Sequence, residues 1–160
     1  DEYGGSAENR ARFLKEVLRG VREVWTEDKP LILRVTAEDY VEEGNHPEDL
    51  AELINLVKED GVDIINVSSG GLVNIVPKAF QGYQVKFAEV IKERTGLPVI
   101  AGGLIIDPHM AEEILQNKRA DLVYLGRELL RNPNWPLLAA HELKDEVPWP
   151  SQYERAKLRR

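Results

Sequence analysis

Two junctions between an apolar run and helix-like sequence carry the residue types that hold a phosphate. The run Ala120-Asp121-Leu122-Val123-Tyr124-Leu125 stops at Gly126-Arg127 and turns at once into Glu128-Leu129-Leu130. That is the pattern of a buried parallel strand delivering its backbone to the start of a helix. A glycine there lets the main chain approach a ligand, free N–H groups at the helix start point towards it, and the Arg127 guanidinium supplies a planar charged fork. Upstream, Leu97-Pro98-Val99-Ile100-Ala101 ends in Gly102-Gly103, and Asp107-Pro108 opens the next helix. Either junction alone is also an ordinary turn, so the expectation of one phosphate gripped by two adjacent strand ends rests on the pair in tandem. Arg34, in the run Leu31 to Ala37, is a further candidate, because a guanidinium in an otherwise apolar strand is costly unless a ligand or a carboxylate faces it. The plain alternative for Arg34 is an ion pair with a neighbouring strand.

The elements that must position these residues repeat along the chain. Residues 8–25 place Phe13, Leu14, Val17, Leu18, Val21, Val24 and Trp25 at helical spacing, which predicts an amphipathic helix with that face inward. Leu31 to Ala37 reads as a first strand. Asn45 or His46 caps the following helix, Pro47 suits its first turn, and Leu50, Leu53, Ile54 and Val57 line its inner face up to Gly61. Val62 to Ser68 is a second strand, followed by a loop from Ser69-Gly70-Gly71 to Gln81 and a helix with Val85, Ala88 and Ile91 inward, closed by Gly96. The third strand, Leu97 to Ala101, leads to a helix from Asp107 to about Lys118, and the fourth strand leads to a last helix around Trp135 to Leu143. Four βα units in succession are expected of parallel strands with crossover helices.

Four such units build either a small doubly wound sheet or half of a (β/α)8 barrel. In a barrel all strand C-terminal ends converge on one ligand, and Arg34, Ser68-Ser69-Gly70-Gly71, Gly102-Gly103 and Gly126-Arg127 all sit at those ends. A dinucleotide-binding sheet would want Gly-x-Gly-x-x-Gly after its first strand, and that pattern is absent. The expectation is an α/β half-barrel, a single domain over 1–160, with residues 144–160 as its C-terminal tail.

Composition narrows the function classes. A chain of 160 residues with 42% hydrophobic and 31% charged residues is enough for one ordinary globular core. A net charge of −7, with no basic stripe except Arg155 to Arg160, argues against a nucleic-acid surface, and no segment reads as a membrane span. With no cysteine there are neither disulfides nor thiolate ligands, which fits a reducing cytoplasmic setting. His46, His109 and His141 show no metal-ligand spacing, so no metal site is expected. The opening Asp1-Glu2-Tyr3-Gly4-Gly5-Ser6 reads as the middle of a loop, as in a piece of a longer protein.

Several motifs in order carry a family resemblance. They are Asp1 to Arg10, Leu33-Arg34-Val35-Thr36-Ala37-Glu38-Asp39-Tyr40, Gly61-Val62-Asp63 with Ser68-Ser69-Gly70, Gly82-Tyr83-Gln84-Val85, Ala120-Asp121-Leu122 with Gly126-Arg127-Glu128, and Gln152-Tyr153-Glu154-Arg155. Together they resemble the C-terminal half of the Old Yellow Enzyme family, most closely its short thermophilic-like NADPH dehydrogenases. The resemblance implies an FMN-dependent barrel that takes hydride from NAD(P)H and reduces activated C=C bonds, as an ene-reductase does. Under it, Arg34 matches an arginine at the flavin N1/O2 edge, Gly126 and Arg127 match the phosphate grip, and Gly103 matches the supporting glycine on the preceding strand. Arg155 matches an arginine that enters a neighbouring subunit's active site; its alternative is a basic tail. A dihydrouridine synthase barrel explains less, since it leaves Tyr3-Gly4-Gly5-Ser6 and Gln152-Tyr153-Glu154-Arg155 unaccounted for.

The resemblance also implies what this half lacks. The family's substrate-binding histidine pair, its proton-donating tyrosine and the residue under flavin N5 belong to the N-terminal half, so no catalytic residue is assigned here. Gln81 stands where the family commonly has proline. A half-barrel leaves its first and fourth strands as hydrogen-bonding edges and exposes an inner face expected to include Ile32, Ile64 and Val99. Two readings follow: an FMN-binding part of an oxidoreductase, inactive alone, or a non-catalytic half-barrel that self-assembles and binds a phosphate or FMN. Expected partners are FMN, NAD(P)H and an enone in the complete enzyme, and either a second copy or the complementary N-terminal half.

Overall fold

The computed structural model describes residues 1–158. Helix α1 (Ala7–Arg22) precedes β1 (Ile32–Thr36), α2 (Pro47–Val57), β2 (Ile64–Ser68), α3 (Val85–Thr95), β3 (Val99–Ala101), α4 (Pro108–Gln116), β4 (Leu122–Val123), α5 (Arg127–Arg131) and α6 (Trp135–Glu142), with 3-10 turns at Lys58–Asp60 and Ser151–Ala156. Helix starts follow local chemistry. Ser6 Oγ accepts Asn9 N–H at 3.3 Å and Asp107 Oδ1 accepts Met110 N–H at 2.8 Å, each supplying a partner that the first turn lacks. His46, not Asn45, is the N-cap of α2, and its N–H is taken by Asp49 at 3.0 Å. Gly96 ends α3 in the left-handed region, at φ 71°.

The four strands are parallel and lie in sequence order β1-β2-β3-β4. Each crossover packs its helix on the same face, where Ile65, Val67, Val99 and Ala101 are fully buried against Ile54, Ile91 and Ile114. A doubly wound sheet would reverse its strand order and cover both faces. Sequential order with one covered face is a segment of a (β/α)8 barrel, as the sequence led us to expect.

The uncovered face carries the register row Arg34, Asn66, Ile100, Leu122. Ile32 and Ile64 pair on that face, with Ile32 48% exposed. Val99 does not join them. It pairs with Ile65 and is fully buried against the helices, so Ile100 takes the inner position expected for Val99. The cause is the two-residue period of a strand, in which a register one residue different sends every side chain to the other face. The buried stripe of α1 also differs from the expected one. Ala11 and Leu18 are buried with Leu14 packed beside them, whereas Phe13 is 65% exposed and Val17, Val24 and Trp25 are also exposed. The helix ends at Arg22, so Val24 and Trp25 lie beyond it, and α2 with the 3-10 turn after it covers only part of the stripe that remains.

The ends of the strands opposite the candidate site show an internal repeat. Asp63 N–H donates to Leu31 O at 3.0 Å, while the Asp63 carboxylate takes Leu31 N–H at 2.6 Å and Arg22 Nη2 at 2.5 Å. Two βα units later, Asp121 N–H donates to Val99 O at 3.0 Å, and the Asp121 carboxylate takes Val99 N–H at 2.9 Å and Lys92 Nζ at 2.8 Å. The Leu31 N–H, with Arg22 behind it, holds the Asp63 pKa below its ordinary value. Burial opposes the Asp121 charge, but the Lys92 and Val99 hydrogen bonds outweigh it, and that pKa too is lowered. A lowered folded-state pKa stabilises the fold above the unfolded value and loses that contribution as pH falls through the folded one. Asp63→Asn with Asp121→Asn should therefore lower stability near neutral pH by about 0.5–1 kcal/mol per site, discounted for solvent exposure. Urea unfolding from about pH 6 down to about pH 2 should show a flatter acid limb for the double variant than for the parent. Among the described residues, no helix is long and apolar enough to cross a membrane.

Candidate functional site

The C-terminal ends of the four strands enclose a cleft of about 290 Å³ lined by Arg34, Gly103, Gly126 and Arg127 among others. Arg34 stands on the uncovered face because strand alternation puts it there. Its guanidinium donates to Asn66 Oδ1 and, at 3.0 Å, to Ser68 Oγ, while its Cζ lies 5.0 Å from the Tyr124 ring centroid. These partners are neutral, and among the described residues no carboxylate pairs with Arg34. The ion-pair alternative thus gives way to an uncompensated positive charge facing open space.

The end of β2 supplies a hydroxyl relay. Ser69 Oγ lies 2.8 Å from the Tyr40 hydroxyl and accepts Gln84 Nε2 at 2.9 Å. Burial pushes the Tyr40 phenol pKa up, which keeps it a neutral partner for Ser69. Gln84 is buried, and its Oε1 accepts the Tyr124 hydroxyl at 2.7 Å.

The end of β3 needs both its glycines. Gly103 has φ 100°, and a Cβ there would meet Gln84 N and the Tyr83 ring at 3.0 Å. A Cβ on Gly102 would stand 2.2 Å from Tyr124 Cζ, so the tyrosine ring occupies the space that a side chain there would need. Gly126 caps α5 and differs from both, since a Cβ there would meet nothing within 4 Å. Space therefore remains above this backbone. Arg127 beside it is exposed and, among the described residues, unpaired, because Glu128 is taken by Arg131 at 2.8 Å.

Arg34, Gly103, Gly126 and Arg127 thus share one cleft, and Arg155 does not. Arg155 lies in the Ser151–Ala156 turn and lines a larger cavity, about 680 Å³, between the tail and α6 beside His141, Trp149 and Leu158. Of the basic stretch Arg155 to Arg160, the last two residues lie outside the described residues. The larger cavity holds no strand end. The smaller cleft is where unpaired cations, a helix start and open backbone converge.

Sequence reading missed Tyr124, Gln84, Ser69 and Tyr40 as a connected set. The available signal was Tyr124 itself, since a phenol inside an apolar run must find a partner for its hydroxyl. The histidines form no cluster with it; His46 Nδ1 is 3.1 Å from Glu38, whose hydrogen bond raises the histidine pKa.

Comparison with known proteins agrees with this architecture. The chain is 55% identical over 157 residues to an NADPH dehydrogenase of Clostridium acetobutylicum, an alignment that takes in 98% of this chain and 46% of that protein. It is 52% identical over 155 residues to an NADPH dehydrogenase of Bacillus subtilis, across 97% of this chain and 45% of the relative. The chain spans about half the length of the curated relatives it matches. A solved complex of 2-naphthoyl-CoA reductase with 2-naphthoyl-CoA superposes with a TM-score of 0.79 at 27% identity, covering 89% of this chain and 22% of that one. Residues 1–146 match the profile of the NADH:flavin oxidoreductase / NADH oxidase family. A family profile over most of the chain, close relatives along its whole length and a shared barrel segment lead to one assignment: the chain belongs to the NADH:flavin oxidoreductase / NADH oxidase family, within its Old Yellow Enzyme and NADPH dehydrogenase branch.

Proposed function

We propose that this chain is the FMN-holding half of an NAD(P)H-dependent ene-reductase, with the flavin phosphate at Gly126-Arg127 and the flavin N1/O2 edge at Arg34. The observation that carries the reading is the pair of arginines, Arg34 and Arg127, that have no carboxylate partner among the described residues and share one cleft, beside a glycine whose added Cβ would meet nothing within 4 Å. These residues fit the cofactor, since a dianionic phosphate and an electron-accepting ring edge are what two unpaired guanidiniums favour. When bound, FMN supplies hydride transfer between NAD(P)H and an activated C=C bond.

The chain's own residues bind and orient. Arg127 and the N–H groups opening α5 hold the phosphate, Gly126 and Gly103 keep the backbone close, and Arg34 places positive charge at the ring edge. Arg155, apart from the cleft, reaches the active site of a neighbouring subunit in a homo-oligomer. No proton donor is assigned to this chain, in keeping with a complementary N-terminal half that brings the donor and the substrate-anchoring pair.

Arg34→Leu tests the flavin-edge assignment. In the FMN-loaded complete protein the midpoint potential should fall, because removing a positive charge at that edge disfavours the more negatively charged reduced form. Spectroelectrochemical titration reads this directly. An unchanged potential would mean that Arg34 serves only the sheet.

A further inference from the structure

Resting on the flavin assignment just given, we propose that Tyr124 is a positioning residue, whose ring holds the Arg34 guanidinium at the bearing from which it acts on the flavin edge. Arg34 needs such a holder. It stands on an edge strand, its stem has many rotamers, and a freely turning charge would spread its field over the open face. Asn66 and Ser68 fix one side of the guanidinium fork. The remaining restraint is the Tyr124 ring, whose centroid at 5.0 Å from Cζ is within cation–π range.

Tyr124 follows β4, yet it touches an arginine on β1, at the opposite edge of the sheet. Three features make that reach possible and rigid. Gly102 is the floor, because any Cβ there would overlap the ring at 2.2 Å. The hydroxyl is anchored by its 2.7 Å bond to Gln84 Oε1. Gln84 is itself held, buried with Nε2 donating to Ser69 Oγ at 2.9 Å and to the Tyr83 hydroxyl at 3.1 Å, so hydrogen bonds at both ends fix the place of its amide.

The choice of an aromatic holder has a consequence for charge. A carboxylate in this position would also orient Arg34, but it would cancel the charge that the flavin edge needs. A neutral ring restrains the guanidinium and leaves its full positive charge facing the cleft. The unit is therefore Gly102, Gln84 and Tyr124 acting through Arg34.

Two measurements test this. In the flavin-free chain, the Arg34 Nε–H resonance should show an upfield ring-current displacement that disappears in Tyr124→Leu. In the FMN-loaded protein, Tyr124→Leu should lower the midpoint potential in the same direction as Arg34→Leu and add nothing further when both changes are combined. Tyr124→Phe, which keeps the volume and loses only the Gln84 anchor, should fold and show a partial loss of both signals; Phe indistinguishable from Tyr in both would overturn the anchoring. A wild-type potential in Tyr124→Leu while Arg34→Leu still shifts it would overturn the proposal and leave the flavin reading intact, as would fully additive shifts in the double variant. No shift in Arg34→Leu itself would remove the flavin-edge assignment of Arg34 and the proposal with it, while the resonance would still report whether the ring touches the arginine.

Discussion

Saturated with FMN, the isolated chain is expected to show no NAD(P)H-dependent reduction of cyclohexenone above the free-flavin background. The expectation follows from general acid catalysis. Turnover needs a proton donor within hydrogen-bond reach of the substrate, and the proposed reading leaves that donor to the N-terminal half. The Tyr124 hydroxyl is committed to Gln84. What the chain should do alone is associate. Among the described residues β1 and β4 are the edges of the sheet, and the uncovered face exposes Ile32 at 48% and Leu122 at 47%. Pairing two copies, most simply with two-fold symmetry, would cover both. Addition of the N-terminal half of a curated relative should compete with that dimer and restore turnover. Light scattering over a dilution series, with activity measured on the same samples, checks both parts. A dilution-resistant monomer would refute the assembly argument, and robust turnover by this chain alone would refute the assignment of the proton donor to the other half.

Arg127→Ala is expected to weaken FMN by about 1.5–3 kcal/mol, or about 10- to 150-fold, while leaving riboflavin nearly unaffected. The asymmetry is the informative part. Riboflavin carries the same ring without the phosphate, so a residue that grips the phosphate discriminates between the two, whereas one that merely supports the fold weakens both equally. The size follows from Arg127 having no competing carboxylate among the described residues, because Glu128 is already occupied by Arg131. Fluorescence titration of both ligands against both proteins gives the ratio, and equal losses would remove the phosphate from this junction.

How far the sequence carried the structure differs between its parts. Helices and strands were legible because crossover units announce themselves through apolar runs bounded by glycine and proline, as at Gly61, Gly96 and Pro108. Which face a residue takes was less legible. Val99 went to the helices instead of the open face because register depends on β2, a partner distant in the chain, and Phe13 stayed exposed because α2 covers only part of α1. Of the candidate site, the residues at strand ends were readable, since a barrel brings those ends together whatever the loops do. The Tyr124, Gln84 and Ser69 connection was not, because it joins the ends of two strands with the residue that caps α3, and no local spacing encodes such a meeting. Arg155 marks the opposite limit, a residue named by its motif that lies apart from the cleft within one copy of the chain.

The central claim, that FMN sits at the strand ends with its phosphate at Gly126-Arg127, is tested most directly by a crystal structure of the chain grown with FMN. The account predicts phosphate density within hydrogen-bond distance of the Arg127 guanidinium and the α5 backbone N–H groups, with the ring edge turned towards Arg34. Flavin density in the cavity beside Trp149 and Arg155, with the strand-end cleft filled only by water, would contradict it.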